Sequence, residues 1–222
     1  MVQHGRVRQP FETSRPPRKE SETTLIRAIG KEQLGVFSDA VFAVIITIMV
    51  LQLRLPSQAT FDALLQAWPT AVSYAVSYLL IAIIWINHHF LLRFAKDSTR
   101  RLILWNFTHM FSASLVPCAT AWIADTRLAS VPVFIYAAVI LLVNLSYHAF
   151  AYEVVPRAAP EASAEGMRRK VLMRSLLTIF LFAVAMVLAL RAPLVAFALV
   201  TLVLLTYSRP EIPQAFHVRP TR

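Results

Sequence analysis

The sequence predicts an all-α, polytopic membrane protein with six transmembrane helices per subunit and both termini in the cytoplasm. Composition is the first reason. Of 222 residues, 57% are hydrophobic and only 15% are charged, whereas soluble domains run at about 45–50% and about 25%. The second reason is how the apolar residues are grouped. Runs close to the roughly 20 residues that cross the hydrocarbon, with about 17 as the lower end, recur between residues 35 and 208. Lipid offers backbone groups no partners, so such runs must satisfy themselves as helices. The third reason is the placement of Lys and Arg. Seven fall in the head, four in the second loop, five in the fourth and three in the tail, nineteen against the single residues Arg54, Arg127 and Arg191 of the other three loops. An excess of cations on alternate loops puts those loops and both termini inside, which requires an even number of spans.

The spans follow in order at 35–53, 67–90, 102–123, 131–151, 172–190 and 193–208. The last is the shortest. Only "RAP" separates it from the fifth, so the two form a tight hairpin with Pro193 in the first turn of the sixth helix. Pro117 inside the third span is a candidate kink. Residues 1–34 form a polar, basic head without the pattern of a signal peptide, and 209–222 form a cytoplasmic tail. Both are too polar to fold alone and are expected to be mobile.

Several function classes are set aside at this point. Four glycines leave no Gly-rich nucleotide loop. The net charge of +10 lies between apolar runs, which suits a lipid bilayer rather than nucleic acid. The single Cys118 allows no intrachain disulfide. No nucleophile–base set is recognisable, so no enzyme activity is expected. Asp39, His88, His89 and His109 are ligand types, but no H-E-x-x-H or paired-Cys spacing accompanies them, so neither a metal nor another cofactor is expected.

Polar side chains are instead grouped by depth. In the predicted topology Ser38 and Asp39 sit at the cytoplasmic end of the first span. The "WINHH" of the second span, with Trp85, Asn87, His88 and His89, ends on the same side. Asn106 and His109 begin the third span there, and Asn144 and His148 lie late in the fourth. An ionisable group at such depth must face the protein and find partners. The expectation is a hydrogen-bonded layer in which Asp39 ties the first helix to the second and third. Snorkelling of the histidines to the interface, and ordinary interhelical bonding by Asn144 and His148, are the simpler alternatives.

At 100° per residue, Phe37, Ala40, Val44, Thr47 and Leu51 make one stripe within about 60° of Val44, and Asp39 lies about 140° from it. Periodicity alone allows this stripe to face lipid. The stretch "FSDAVFAVIITIMVL", however, resembles the first helix of the transmembrane protein 175 family of potassium channels, whose motif is Arg-x-x-x-Phe-Ser-Asp followed by an apolar helix with a Thr. Phe37, Ser38 and Asp39 match its core, "WINHH" and Asn106 resemble the second and third helices, and Gln33 stands at the position of the motif's Arg. The resemblance covers roughly residues 31–120. It implies a homotetramer of six-helix subunits in the cell membrane, passing potassium and other monovalent cations through a central pore lined by the first helix of each subunit. Carried over by position, the pore residues are Val44, Thr47 and Leu51, and the structural polar layer holds Phe37, Ser38, Asp39, His88, His89 and Asn106. Two other readings stand beside this channel: a proton-coupled transporter with Asp39 and the histidines as a relay, and a non-conducting membrane protein.

Overall fold

The structure, a computed structural model, describes residues 30–95, 98–154 and 161–207. Most of the polar head, nearly all of the fourth loop before Glu161, and the whole tail lie outside the described residues. So do most of the cations on which the predicted orientation rests.

Eight helices make up the described chain: α1 (Lys31–Leu51), α2 (Phe61–Gln66), α3 (Trp68–Phe94), α4 (Arg100–Ser114), α5 (Val116–Asp125), α6 (Ser130–Val154), α7 (Glu161–Ala189) and α8 (Pro193–Tyr207). No strand occurs among the described residues. Among the described residues five stretches are long and apolar enough to cross a membrane: Glu32–Leu51, Trp68–Arg93, Arg100–Asp125, Ser130–Val154 and Leu172–Ala189. The sixth expected span, α8, has 15 residues and is about 22 Å long, short of a hydrocarbon core of about 30 Å.

Local chemistry explains the boundaries. Pro occupies the first turn of α3 and of α5, where its missing N–H costs nothing. The third span is therefore two helices: α4 ends at Ser114, and α5 starts two residues later around Pro117. Thr99 caps α4 by accepting from the Leu102 amide at 3.1 Å, and Thr60 caps α2 by accepting from Ala63. Two features differ from the sequence reading. A short helix, α2, interrupts the first loop. Helix α7 begins at Glu161 rather than near 172, because the Ala, Glu, Met, Arg and Lys of its polar start are strong helix formers.

The core lies between α1, α3, α5, α6, α7 and α8. Phe42, Ile45 and Met49 of α1 meet Leu80, Ile81 and Ile84 of α3, with Tyr136 and Ile140 of α6 and Phe182, Ala185, Ala196 and Val200 behind them. A smaller cluster at the opposite end of the bundle joins Leu34, Leu91, Leu92, Leu102 and Phe150. That end carries Arg93, Arg100 and Arg101 and is called the basic end below. Lipid tails are as apolar as these side chains, so close packing and hydrogen bonds must hold the helices together. One buried hydroxyl set does this far from the basic end. Thr120 of α5 lies 2.7 Å from Ser77 of α3, and Ser77 lies 2.9 Å from the Tyr136 hydroxyl of α6.

Candidate functional site

Two neighbouring residues of α1 part ways at the basic end. Ser38 is fully buried. Its hydroxyl donates to the Leu34 carbonyl at 2.8 Å and accepts from Asn106 Nδ2 at 3.1 Å. Asn106 Oδ1 lies 2.6 Å from His88 Nε2. An amide oxygen only accepts, so Nε2 carries the proton and His88 Nδ1 is left as a bare acceptor. Ser38, Asn106 and His88 thus join α1, α4 and α3 by one short chain of hydrogen bonds.

A second link extends the layer to α6. His109 Nδ1 lies 2.9 Å from Ser146 Oγ. The Ser146 proton is already given to the Val143 carbonyl, so His109 donates and its Nε2 is bare. Both bare nitrogens, His88 Nδ1 and His109 Nε2, are buried without a partner. The rings themselves are packed. His88 stacks with His109 at 5.8 Å between centroids and with Phe150 at 5.4 Å.

Asp39 departs from its expected place. It does not reach α4 or the buried layer; its side chain is 43% exposed. Its Oδ1 accepts from the Trp85 indole at 2.8 Å, and His89 Nδ1 lies 4.0 Å away. Asp39 therefore ties α1 to α3 only, at the rim. Ser38, 100° round the helix, takes the inward position because a hydroxyl can be buried with two bonds and an ionised carboxylate cannot. Asn144 donates to its own helix at Ile140, and His148 pairs with Ser175 of α7 at 3.1 Å, so neither belongs to the layer. Ser146 supplies the contribution of α6; nothing in the sequence singled it out. Phe37 lies outside the layer too, half-exposed, with its ring 5.4 Å from that of Phe107.

The other face of α1 is open. Leu34, Ser38, Phe42, Ile45 and Met49 are its buried row. On the far side Val44 is 54% and Leu51 84% exposed, and Thr47 between them is exposed. The Thr47 hydroxyl donates to the Val44 carbonyl at 2.8 Å. Of the α1 span 28% is buried in the subunit, the same share as for the Leu172–Ala189 span of α7 and less than the 44% for α3 and the 50% for the α4–α5 span. Gln33 is also exposed, and six residues separate it from Asp39, too far round the helix for a direct pair.

The fold matches the crystal structure of a lysosomal potassium-selective channel homologue from Chamaesiphon minutus, with a TM-score of 0.73 over 80% of this chain and 96% of that one, at 20% sequence identity. The sequence profile of the family described as endosomal/lysosomal potassium channel TMEM175 matches residues 33–117. A potassium channel of Chryseobacterium sp. (strain P1-3) is 33% identical over 140 residues, which span 63% of this chain and 70% of that protein. The chain belongs to the TMEM175 family. A potassium channel of Streptomyces collinus is 31% identical over 152 residues, 61% of this chain and 74% of the other. The TMEM175 match runs from Gln33 to Pro117 and so takes in Val44, Thr47, Leu51 and the Ser38–Asn106–His88 chain, but not Ser146 or the helices after α5.

Proposed function

We propose that the chain is one subunit of a potassium-preferring cation channel, in which four copies set α1 around a central pore in the cell membrane. The open stripe on α1, in a member of a potassium-channel family, is the observation that carries this reading. Val44 and Leu51 are seven residues apart, about 10.5 Å along the axis. Four copies would stack a valine ring, a threonine ring and a leucine ring. An apolar ring that closes excludes water and so blocks ions; one that opens admits a partly hydrated cation. Potassium sheds water more readily than sodium, so such a constriction favours it modestly. Leu51 is larger than Val44 and makes the tighter ring. With the basic end in the cytoplasm, Leu51 lies toward the outer mouth. The six-span topology has α8 as its sixth helix, and no catalytic step is involved.

The test is potassium and sodium flux in liposomes. Leu51→Ser or Leu51→Asn should raise conductance and erode discrimination between the two cations. The same changes at Ile46, half-buried on the other side of α1, should do neither. Identical behaviour at the two positions would refute a pore lined by α1. A mass measurement in mild detergent that finds only single subunits would refute the tetramer. Flux that requires a proton gradient would favour the transporter instead.

A further inference from the structure

Beyond the pore stripe, α1 ends in a charge. Arg54 follows Leu51 by three residues and is the first cation after the helix. Its guanidinium does not extend freely: Nη1 lies 3.6 Å from Asp125 Oδ2. Asp125 is the last residue of α5. Unpaired main-chain carbonyls give a helix C-terminus a partial negative charge, so a carboxylate there is electrostatically disfavoured. Its position is explained by the cation it holds. Arg127, two residues on, makes no ion pair among the described residues. Helix α5 packs behind α1, on the side of Phe42 and Ile45 and away from the Val44–Leu51 stripe. The Arg54 arm is therefore drawn back from the open stripe.

We infer that Asp125 is a positioning residue for conduction, one that neutralises Arg54 and holds it off the far mouth of the pore. The inference rests on the reading that α1 lines a pore. Four subunits place four arginines around the mouth just beyond the Leu51 ring. Left unpaired, each guanidinium at about 10 Å from a cation in water opposes it by about twofold, and four together by on the order of tenfold. Paired with Asp125, each becomes a small dipole whose field falls off within the mouth. The pair is solvent-exposed, with 79% and 47% of the two side chains accessible. Its direct contribution to stability is correspondingly small, which fits a role in setting the local potential rather than in holding the fold.

The experiment is potassium flux into liposomes at about 20 mM and about 1 M ionic strength, where the Debye length falls from about 20 Å to about 3 Å. Asp125→Asn should slow flux severalfold at low salt and much less at high salt. Arg54→Gln should be at least as fast as the parent. The double variant Arg54→Gln/Asp125→Asn should match the parent, since the Arg54–Asp125 site carries no net charge in either. A double variant as slow as Asp125→Asn would mean that the carboxylate acts through the fold, and would overturn the inference. Equal slowing at both salts, or no slowing at either, would overturn it as well. Leu51→Ser is measured alongside. If it changes flux while Asp125→Asn does not, the latch fails and the pore stands; if neither changes flux, both readings fail together.

Discussion

Replacing Asn106 by Leu removes the hub of the buried layer and keeps its branched shape. Asn106 accepts from His88 Nε2 at 2.6 Å and donates to Ser38 at 3.1 Å. In Asn106→Leu the His88 N–H points into an apolar site with no acceptor, at a cost of about 1–3 kcal/mol for a stranded buried donor. Ser38 loses one incoming bond but keeps the Leu34 carbonyl at 2.8 Å, which adds about 0.5–1.5 kcal/mol. The expected total is about 2–4 kcal/mol. His88→Phe should cost less, about 1–3 kcal/mol, since it strands only the Asn106 Oδ1 acceptor and leaves the Asn106–Ser38 bond at 3.1 Å in place. The decisive variant is the double, His88→Phe/Asn106→Leu. It has no stranded donor, so it should be more stable than Asn106→Leu alone, with a coupling energy of about 1–2 kcal/mol. Unfolding by SDS in bicelles, followed by tryptophan fluorescence, measures all three. Costs that simply add would show that His88 and Asn106 are not partners and would refute the assignment of the His88 proton to Nε2.

At the rim, Asp39→Asn keeps an acceptor for the Trp85 indole, whereas Asp39→Leu strands it. Size-exclusion chromatography should show the Asn variant assembled and the Leu variant dissociating, with flux selectivity unchanged in the former. Tyr136→Phe should cost about 0.5–1.5 kcal/mol in the same SDS titration, because only the bond to Ser77 is lost. Ala196 is fully buried in the main core, so Ala196→Leu should overpack the core around α8 by about 1–3 kcal/mol, read as a lower unfolding midpoint.

How far this could be read from sequence depends on what each residue exposes of itself. Five of the six expected spans were legible because hydropathy alone decides them. Ends were less so: Glu161 to Lys170 is polar, and a polar segment can be helix or loop until it has something to stand on. The break before Pro117 was visible as a proline, though the sequence could not say that two helices would result. Depth was legible too, which is why the sequence groups Ser38, His88 and Asn106, three side chains that hydrogen-bond to one another. Helix phase was not. The buried row Phe42, Ile45, Met49 and the open row Val44, Thr47, Leu51 are about equally apolar, so nothing local separated inside from outside. The same ambiguity put Asp39 in the layer where Ser38 stands. Ser146 escaped notice because a lone serine in an apolar helix has no spacing that marks it, and its partner His109 lies 37 residues away.

Thr47 carries a consequence for how such a subunit comes into being. A newly inserted chain meets the bilayer alone, before any partner copy covers α1. Its open stripe must then be dissolved in acyl chains, and a hydroxyl there would be a burden. Thr47 turns its proton back onto the Val44 carbonyl, so the single subunit shows lipid a methyl group and little else. On assembly around an aqueous axis, a rotation about one side-chain bond can turn the same oxygen toward water. Under the proposed pore, one residue is soluble in both phases in turn, and the subunit needs no chaperoning cover for the surface that later carries ions.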